Sequence, residues 1–292
     1  MKCVSPESIP RPNGRGAKDR IIIPCGKCLP CKMRKRSSWS FRLVQELRYS
    51  KSAYFVTLTY DDIHVPCLGY VIEPDVVDEG IIEMKREAVL FFKLLRKRNK
   101  QLWPKVKLSY YLTAERGAET KRPHFHAIIF NLNDDYEKSL LDAWKDQETK
   151  KPKGMIQIYP ANEAMINYVT GYFLEEEKDT LFNHISKGLG LSYLQENGFH
   201  HRDNDKHYVT TSSGVKVNMP RYYKNKIFNE TQKLLFKNRA LKSELLSYNQ
   251  KLEKYTSQGY SNYMAELSVA RDEAMQQKQN NIKPKSIKKR KL

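Results

Sequence analysis

Two apolar runs of strand character, eight residues apart, constrain this chain more than any other feature. "KVKLSYYLTAE" occupies 105–115 and "HFHAIIF" occupies 124–130. The connection between them, "RGAETKRP", is short and turn-rich, so the pair predicts an antiparallel hairpin. Along a strand, residues i and i+2 face the same side, about 7 Å apart. His124 and His126 therefore project together, with Phe125 turned to the core behind them. Glu115 ends the preceding strand, and the hairpin is expected to bring it alongside. Two imidazoles and a carboxylate can hold a divalent ion and leave positions open for water or substrate oxygens. Taken alone, an H-x-H pair is also read as polar surface on a half-buried strand.

The rest of the first 180 residues supplies partners for such a hairpin. "AYFVTLTYDD", 53–62, reads as a strand ending at Asp61 and Asp62. "KMRKRSSWSFRLVQELRYS", 32–50, begins basic and turns helical, with Trp39, Phe41, Leu43 and Leu47 as its apolar stripe. "EMKREAVLFFKLLRKRNK", 83–100, is an amphipathic helix with Leu90, Phe91, Leu94 and Leu95 inward. "EKSLLDAWKD" predicts a helix and "GMIQIYP" a short strand. "NEAMINYVTGYFLEEE", 162–177, predicts a helix capped by Asn162. This order implies an α+β sandwich on a mostly antiparallel sheet flanked by helices. Beyond about 183 the pattern loosens into polar loop. Residues 226–278 read as helical throughout, with Leu234, Leu235, Leu241, Leu245 and Leu246 as core or partner contacts.

Charge narrows the partner. The formal net charge is +19, from 52 Lys and Arg against 33 Asp and Glu. Such an excess suits a polyanion. A membrane surface competes, but no apolar run reaches the roughly 18–20 residues that cross a bilayer, and the N-terminus shows no apolar leader. A soluble, intracellular protein is expected. Arg34, Lys35 and Arg36 open the first helix and are candidates for phosphate contact, with a solvated basic face as the ordinary alternative. The closing "KPKSIKKRKL" is a charge run expected to be disordered and to hold nucleic acid loosely.

Five cysteines are present, and three form "CGKCLPC" as Cys25, Cys28 and Cys31. With Cys3 they make a four-thiolate set for a closed, structural zinc. An iron–sulfur cluster and a group of buried reduced thiols are the other readings. Cys67 stands alone and is expected to be a small apolar filler.

Tyr168 and Tyr172 are four residues apart on the expected helix, hence on one face and roughly 6 Å from each other. Packed core aromatics have the same spacing. A tyrosine hydroxyl, with a pKa near 10, is a poor nucleophile unaided, but a metal holding a phosphodiester in line would let it attack phosphorus covalently.

"FVTLTY", "RPHFHAIIF" and "YVTGY", in this order, resemble the three motifs of the HUH endonucleases that initiate rolling-circle replication. "PCGKCLPCKMRKRSSWSFRL", "ERGAETKRPHFH" and "MPRYYKNK" resemble more closely the replication initiation proteins of gokushovirus-type microviruses, over about residues 3–227. The resemblance implies an HUH-type sheet with an N-terminal Cys-rich arm and a helical C-terminal extension. It divides the chain into an arm at 1–35, an endonuclease core at 36–182, a family-specific loop region at 183–225, a helical extension at 226–278 and a basic tail at 279–292. It implies Mg²⁺ or Mn²⁺ on His124, His126 and Glu115, attack by Tyr168 or Tyr172, a 5′-phosphotyrosine and a later rejoining that releases circular genomes.

Lys121, Arg122, Lys178, Arg221 and Lys224 join the first helix as DNA-binding candidates. The implied partners are a single-stranded DNA origin, a host helicase and a host DNA polymerase, in the cytoplasm of the bacterial host. No P-loop is present, so no nucleotide cofactor is expected. The sequence departs from the family's Y-x-x-K pattern: Gly171 and Glu175 stand where lysine would follow Tyr168 and Tyr172, and Lys178 is the candidate substitute. Alignment of "NYVTGY" favours Tyr168 as the primary nucleophile. Two rivals stand beside this reading. One is a non-catalytic nucleic-acid-binding protein with a structural zinc. The other is a mononuclear metal hydrolase or oxygenase.

Overall fold

The structure is a computed structural model, and it describes residues 3–12, 16, 19–67, 78–117, 119–174, 180–257, 268–269 and 273. In chain order the elements are β1 (Glu7–Pro10), β2 (Arg20–Ile23), α1 (Leu29–Tyr49), β3 (Ala53–Thr59), α2 (Glu79–Leu102), β4 (Ser109–Arg116) and β5 (Pro123–Phe130). Then follow α3 (Tyr136–Ala143), β6 (Ile156–Pro160), α4 (Glu163–Gly171), a 3-10 turn at Tyr172–Leu174, β7 (Thr180–Ile185) and α5 (Leu191–Asp203). The last are β8 (Tyr208–Thr210), β9 (Lys216–Asn218), α6 (Arg221–Ile227) and α7 (Glu230–Ser257).

These form two compact units. The first comprises Met1–Cys31, His201–His207 and Arg221–Leu292; the second comprises Lys32–His200 and Tyr208–Pro220. The second contains a five-stranded sheet in the order β6-β3-β5-β4-β7, every neighbouring pair antiparallel. The α+β class is as the sequence implies, and the hairpin of β4 and β5 lies at its centre.

Alternation along the strands builds two cores. On one face Val56, Leu58, Leu112, Ala114, Phe125, Ala127 and Ile129 meet Met84, Ala88, Phe91, Phe92 and Leu95 of α2, with Leu140 of α3 and Trp144 beyond it. On the other, Phe55, Tyr111, Ile128 and Phe130 meet Leu43 and Val44 of α1 and Ile166 and Val169 of α4. Burial of such side chains stabilises the fold by about 1.5–3 kcal/mol each. The caps are sequence-encoded. Asp78 accepts from the Ile81 amide at 3.3 Å at the start of α2, and Asn162 from the Met165 amide at 3.0 Å at the start of α4.

Several sequence expectations are corrected. Residues 183–225 are not mostly loop: they hold the end of β7, then α5, β8, β9 and the start of α6. β7 is hard to see in the sequence because it is an edge strand with every residue half-buried, so neither of its faces is purely apolar. Gly198 and two histidines blur the period of α5. The C-terminal helix starts at Glu230, after a break at 228–229, and its leucines 234, 235, 241, 245 and 246 are all solvent-exposed rather than core. Cys67 is exposed, not a filler. The α4 helix ends at Gly171, and Tyr172 sits in the 3-10 turn that follows. Lys178, Glu175 and the basic tail at 279–292 lie outside the described residues.

In the first unit, β1 and β2 pair as a small antiparallel hairpin. Phe236 of α7 packs against His207 and Phe228, with ring centroids 4.9 and 4.8 Å away.

One glycine is fixed by the sheet. Gly154 has φ +155°, and a Cβ there would lie 2.2 Å from the Thr59 carbonyl oxygen. Gly154→Ala is expected to cost about 2–3 kcal/mol, seen as a fall in thermal midpoint of several degrees. An unchanged midpoint would contradict this packing.

Candidate active site

Register builds the site. In the β4–β5 ladder Glu115 is directly opposite His124, and Thr113 opposite His126. Residues directly across an antiparallel pair project from the same face. Glu115, His124 and His126 thus emerge on the face covered by α1 and α4. Glu115 Oε1 lies 2.7 Å from His124 Nε2 and 3.1 Å from His126 Nε2, and the two Nε2 atoms are 3.2 Å apart. Donors in adjacent positions on an octahedral ion with bonds of about 2.1 Å are separated by about 3.0 Å. The three atoms have that spacing, so the residues fit a small divalent ion and leave one side of it for other ligands.

The imidazoles are aimed by their far nitrogens. His124 Nδ1 is 3.2 Å from the Arg122 carbonyl oxygen, to which it donates. His126 Nδ1 is 3.0 Å from the Thr57 hydroxyl, and Phe55 stacks on the His126 ring at 5.4 Å. Both rings therefore direct Nε2 at Glu115. Electrostatics follow from burial. Desolvation opposes the charge on Glu115, but hydrogen bonds from His124 and His126 outweigh it and hold the carboxyl down at about 2. For His124, burial disfavours the cation, yet Glu115 raises its pKa above the ordinary histidine value. For His126 burial dominates, and its pKa falls.

The two tyrosines stand in different environments. Tyr168 is 42% exposed, and its hydroxyl lies 3.5 Å from His126 Nε2. Tyr172 is 7% exposed, and its ring is parallel to that of His126 at 6.0 Å. Burial, with the charge of Glu115 adding to it, drives the Tyr172 phenol far above its usual pKa. The two rings meet edge to face at 5.2 Å. Both phenols thus border the ligand set, one open to solvent and one beneath it.

The basic candidates are scattered. Arg34 and Lys35 are exposed on α1 and Arg36 is half-buried. The Lys35 ammonium lies 4.4 Å from the ring centre of Phe173, next in chain to Tyr172. Lys121 is exposed in the β4–β5 turn at φ +55°. Arg122 is tied into the protein, to Asp62 at 2.7 Å and the Tyr60 carbonyl at 3.2 Å. In the first unit Arg221 is exposed, whereas Lys224 is half-buried, 6.0 Å from the centre of Phe236. Burial lowers its pKa, with Lys233 adding to the effect.

A second ligand set lies in the first unit. Cys3 Sγ is 3.4 Å from Cys25 Sγ and 3.7 Å from Cys28 Sγ, and with Cys31 all four sulfurs lie within 4.8 Å of one another. A disulfide needs about 2.05 Å, and all four thiols are free. Thiolates on one tetrahedral zinc at about 2.3 Å are some 3.8 Å apart. The set fits such an ion. Burial resists ionisation of Cys28, but amide donors from Val4 and Cys31 and neighbouring thiols lower it to about 6. Burial pushes Cys31 up to about 12.

Comparison with known proteins gives the lineage. Residues 53–177, which carry β3 through α4, match the model of the replication-associated protein ORF2 family. The replication-associated protein ORF2 of Spiroplasma virus 4 is 31% identical over 232 residues, covering 72% of this chain and 69% of that protein. The chain belongs to the phage replication-associated protein family. A second member, the replication-associated protein VP4 of Bdellovibrio phage phiMH2K, is 25% identical over 225 residues, covering 70% of this chain and 67% of that one. The catalytic domain of the adeno-associated virus type 5 Rep protein overlays with TM-score 0.32 and 12% identity, over 50% of this chain and 99% of that one. At that TM-score the likeness decides nothing. The family match covers the ligand trio and both tyrosines and leaves the cysteine set outside it.

Sequence reasoning missed Thr57 and Phe55, because nothing in "AYFVTLT" marks a strand residue that will face a histidine one strand away. Thr57→Val is expected to weaken Mn²⁺ binding about tenfold with little change in thermal midpoint. Titration calorimetry with Mn²⁺ measures it, and equal affinity in the two proteins would show that Thr57 does not orient His126.

Proposed function

We propose that this replication protein nicks single-stranded phage DNA at the origin through a covalent 5′-phosphotyrosine and rejoins it, in rolling-circle replication. One observation carries the reading: a convergent Nε2, Nε2 and Oε1 trio beside an exposed tyrosine hydroxyl, on a sheet face flanked by basic α1. His124, His126 and Glu115 would hold Mg²⁺ or Mn²⁺. When bound, that ion would neutralise the scissile phosphate and make phosphorus more electrophilic.

The chain's own residues supply the rest. Tyr168 is the first nucleophile, because its hydroxyl is solvent-accessible and meets the trio. Its oxygen bonds to phosphorus while the bond from phosphorus to the 3′-oxygen breaks. The phenol loses one proton and the leaving 3′-oxygen gains one, so the exchange is proton-neutral. A diester is traded for a diester, and a later 3′-hydroxyl can displace the tyrosine without ATP. Tyr172, buried and kept neutral, is held back for the second transfer. The free 3′-hydroxyl would prime a host polymerase, with a host helicase opening the duplex. The lysine absent at 171 and 175 is replaced by a cation from another element, Lys35 beside Phe173 or Lys178. Arg34, Lys121, Arg221 and Lys224 would add phosphate contacts. Cys3, Cys25, Cys28 and Cys31 would close on a structural Zn²⁺ that stiffens the arm.

Incubation with a labelled origin oligonucleotide and Mn²⁺, followed by a denaturing gel, tests the chemistry. Wild-type protein and Tyr172→Phe should yield a protein-linked fragment, and Tyr168→Phe should yield less than about 1% of it. Tyr172→Phe should fail to release rejoined circles. Adduct formation by the double Tyr→Phe variant would refute the mechanism. Elemental analysis should find about one zinc per chain, lost on Cys28→Ser together with a lower thermal midpoint. A zinc-free protein with unchanged melting in that variant would overturn the four-thiolate assignment.

A further inference from the structure

The face of the sheet opposite the catalytic trio carries a second feature. Where the C-terminal end of α2 meets the start of β4 and the end of β7 there is a hollow of about 630 Å³. Five cations line it, Arg96, Lys100, Lys105, Lys107 and Lys187, and no carboxylate does. All five are exposed. Among the described residues none of them is paired with a carboxylate, whereas Arg98 on the same helix is bound to Asp135 at 3.2 Å. A cation in the last turn of α2 complements the helix dipole, which accounts for Lys100 alone.

The floor is rigid and uncharged. Tyr110 is stacked under Phe92 with ring centroids 3.4 Å apart, and its hydroxyl meets His184 Nε2 at 2.9 Å. Burial, with Arg96 adding to it, keeps His184 below the ordinary histidine range. A positive rim over a neutral, apolar-backed floor gathers an anion with several separated charges, because unpaired cations held together repel one another until one arrives.

We propose that this hollow is a second binding site, for the sugar–phosphate backbone of DNA flanking the cut. The choice of DNA rests on the nicking function proposed above. The hollow and the trio lie on opposite faces, and along β4 they are five residues apart, roughly 17 Å. The same strand must therefore run past the sheet edge at β7 to fill both. DNA held here stays on the protein while the cut end is exchanged at the tyrosines.

The test replaces Lys100, Lys105, Lys107 and Lys187 with Gln in the full chain. Binding is measured by fluorescence anisotropy across a salt series, on origin oligonucleotides lengthened stepwise on each side of the cut. Short oligonucleotides should bind wild type and variant equally. Beyond a threshold length the variant should bind at least tenfold more weakly near 100 mM salt. Its log–log salt slope should fall by about 3, from four contacts at roughly 0.7–0.9 each. Equal affinities and slopes at every length, with both proteins melting alike, would overturn the proposal. So would a nucleoside triphosphate that binds the wild type and not the variant while long-DNA binding is unaltered, since the occupant would then be a free nucleotide. A binding readout needs no cleavage, so loss of nicking chemistry alone leaves this outcome unaffected.

Discussion

The antiparallel pairing of β4 with β5 is the constraint on which the site depends. It sets Glu115 against His124 and Thr113 against His126. Slipping it by one residue would turn every side chain of one strand to the other face. Phe125, Ala127 and Ile129 would then leave the core against α2, and the histidines would enter it. The apolar alternation that buries β5 is therefore the same pattern that fixes where the imidazoles point. Ligand geometry and core packing cannot be changed independently.

From this follows the division of labour across the sheet. The face packed on α2 and α3 holds the larger core and gives the strands a rigid backing. The opposite face is only partly covered by α1 and α4, and the trio sits among Phe55, Thr57 and the two tyrosines. Burial of the trio is what lets one carboxylate control two histidines: close to water, those interactions would be screened. Without an ion the arrangement stores charge, with Glu115 ionised and His124 favoured as its cation. An ion replacing that proton would meet a site already shaped for it.

Much of this was legible in the sequence, for identifiable reasons. The hairpin, the shared face of His124 and His126, the placement of Glu115 and the Asn162 cap all follow from strand alternation and local capping chemistry, which need no tertiary context. The inequality of Tyr168 and Tyr172 was not legible. Helical spacing makes them equivalent, and only the end of α4 at Gly171, followed by a 3-10 turn, drops Tyr172 beneath His126 while Tyr168 stays open. β7 escaped notice because an edge strand buries neither face fully. The leucines of α7 misled because a helical apolar period says nothing about whether a partner surface exists. The lysine hollow was invisible because its cations come from α2, the turn before β4 and the residue after β7, joined only by folding.

The most direct test is a crystal of the protein with Mn²⁺ and an uncleaved origin oligonucleotide, made with Tyr168→Phe to stop the reaction, and with anomalous data collected at the manganese edge. The account predicts one peak within about 2.3 Å of His124 Nε2, His126 Nε2 and a Glu115 oxygen, with the scissile phosphate on its open side and the ring at 168 nearer phosphorus than Tyr172. A peak elsewhere, or a phosphate bound with residue 168 turned away from it, would contradict it.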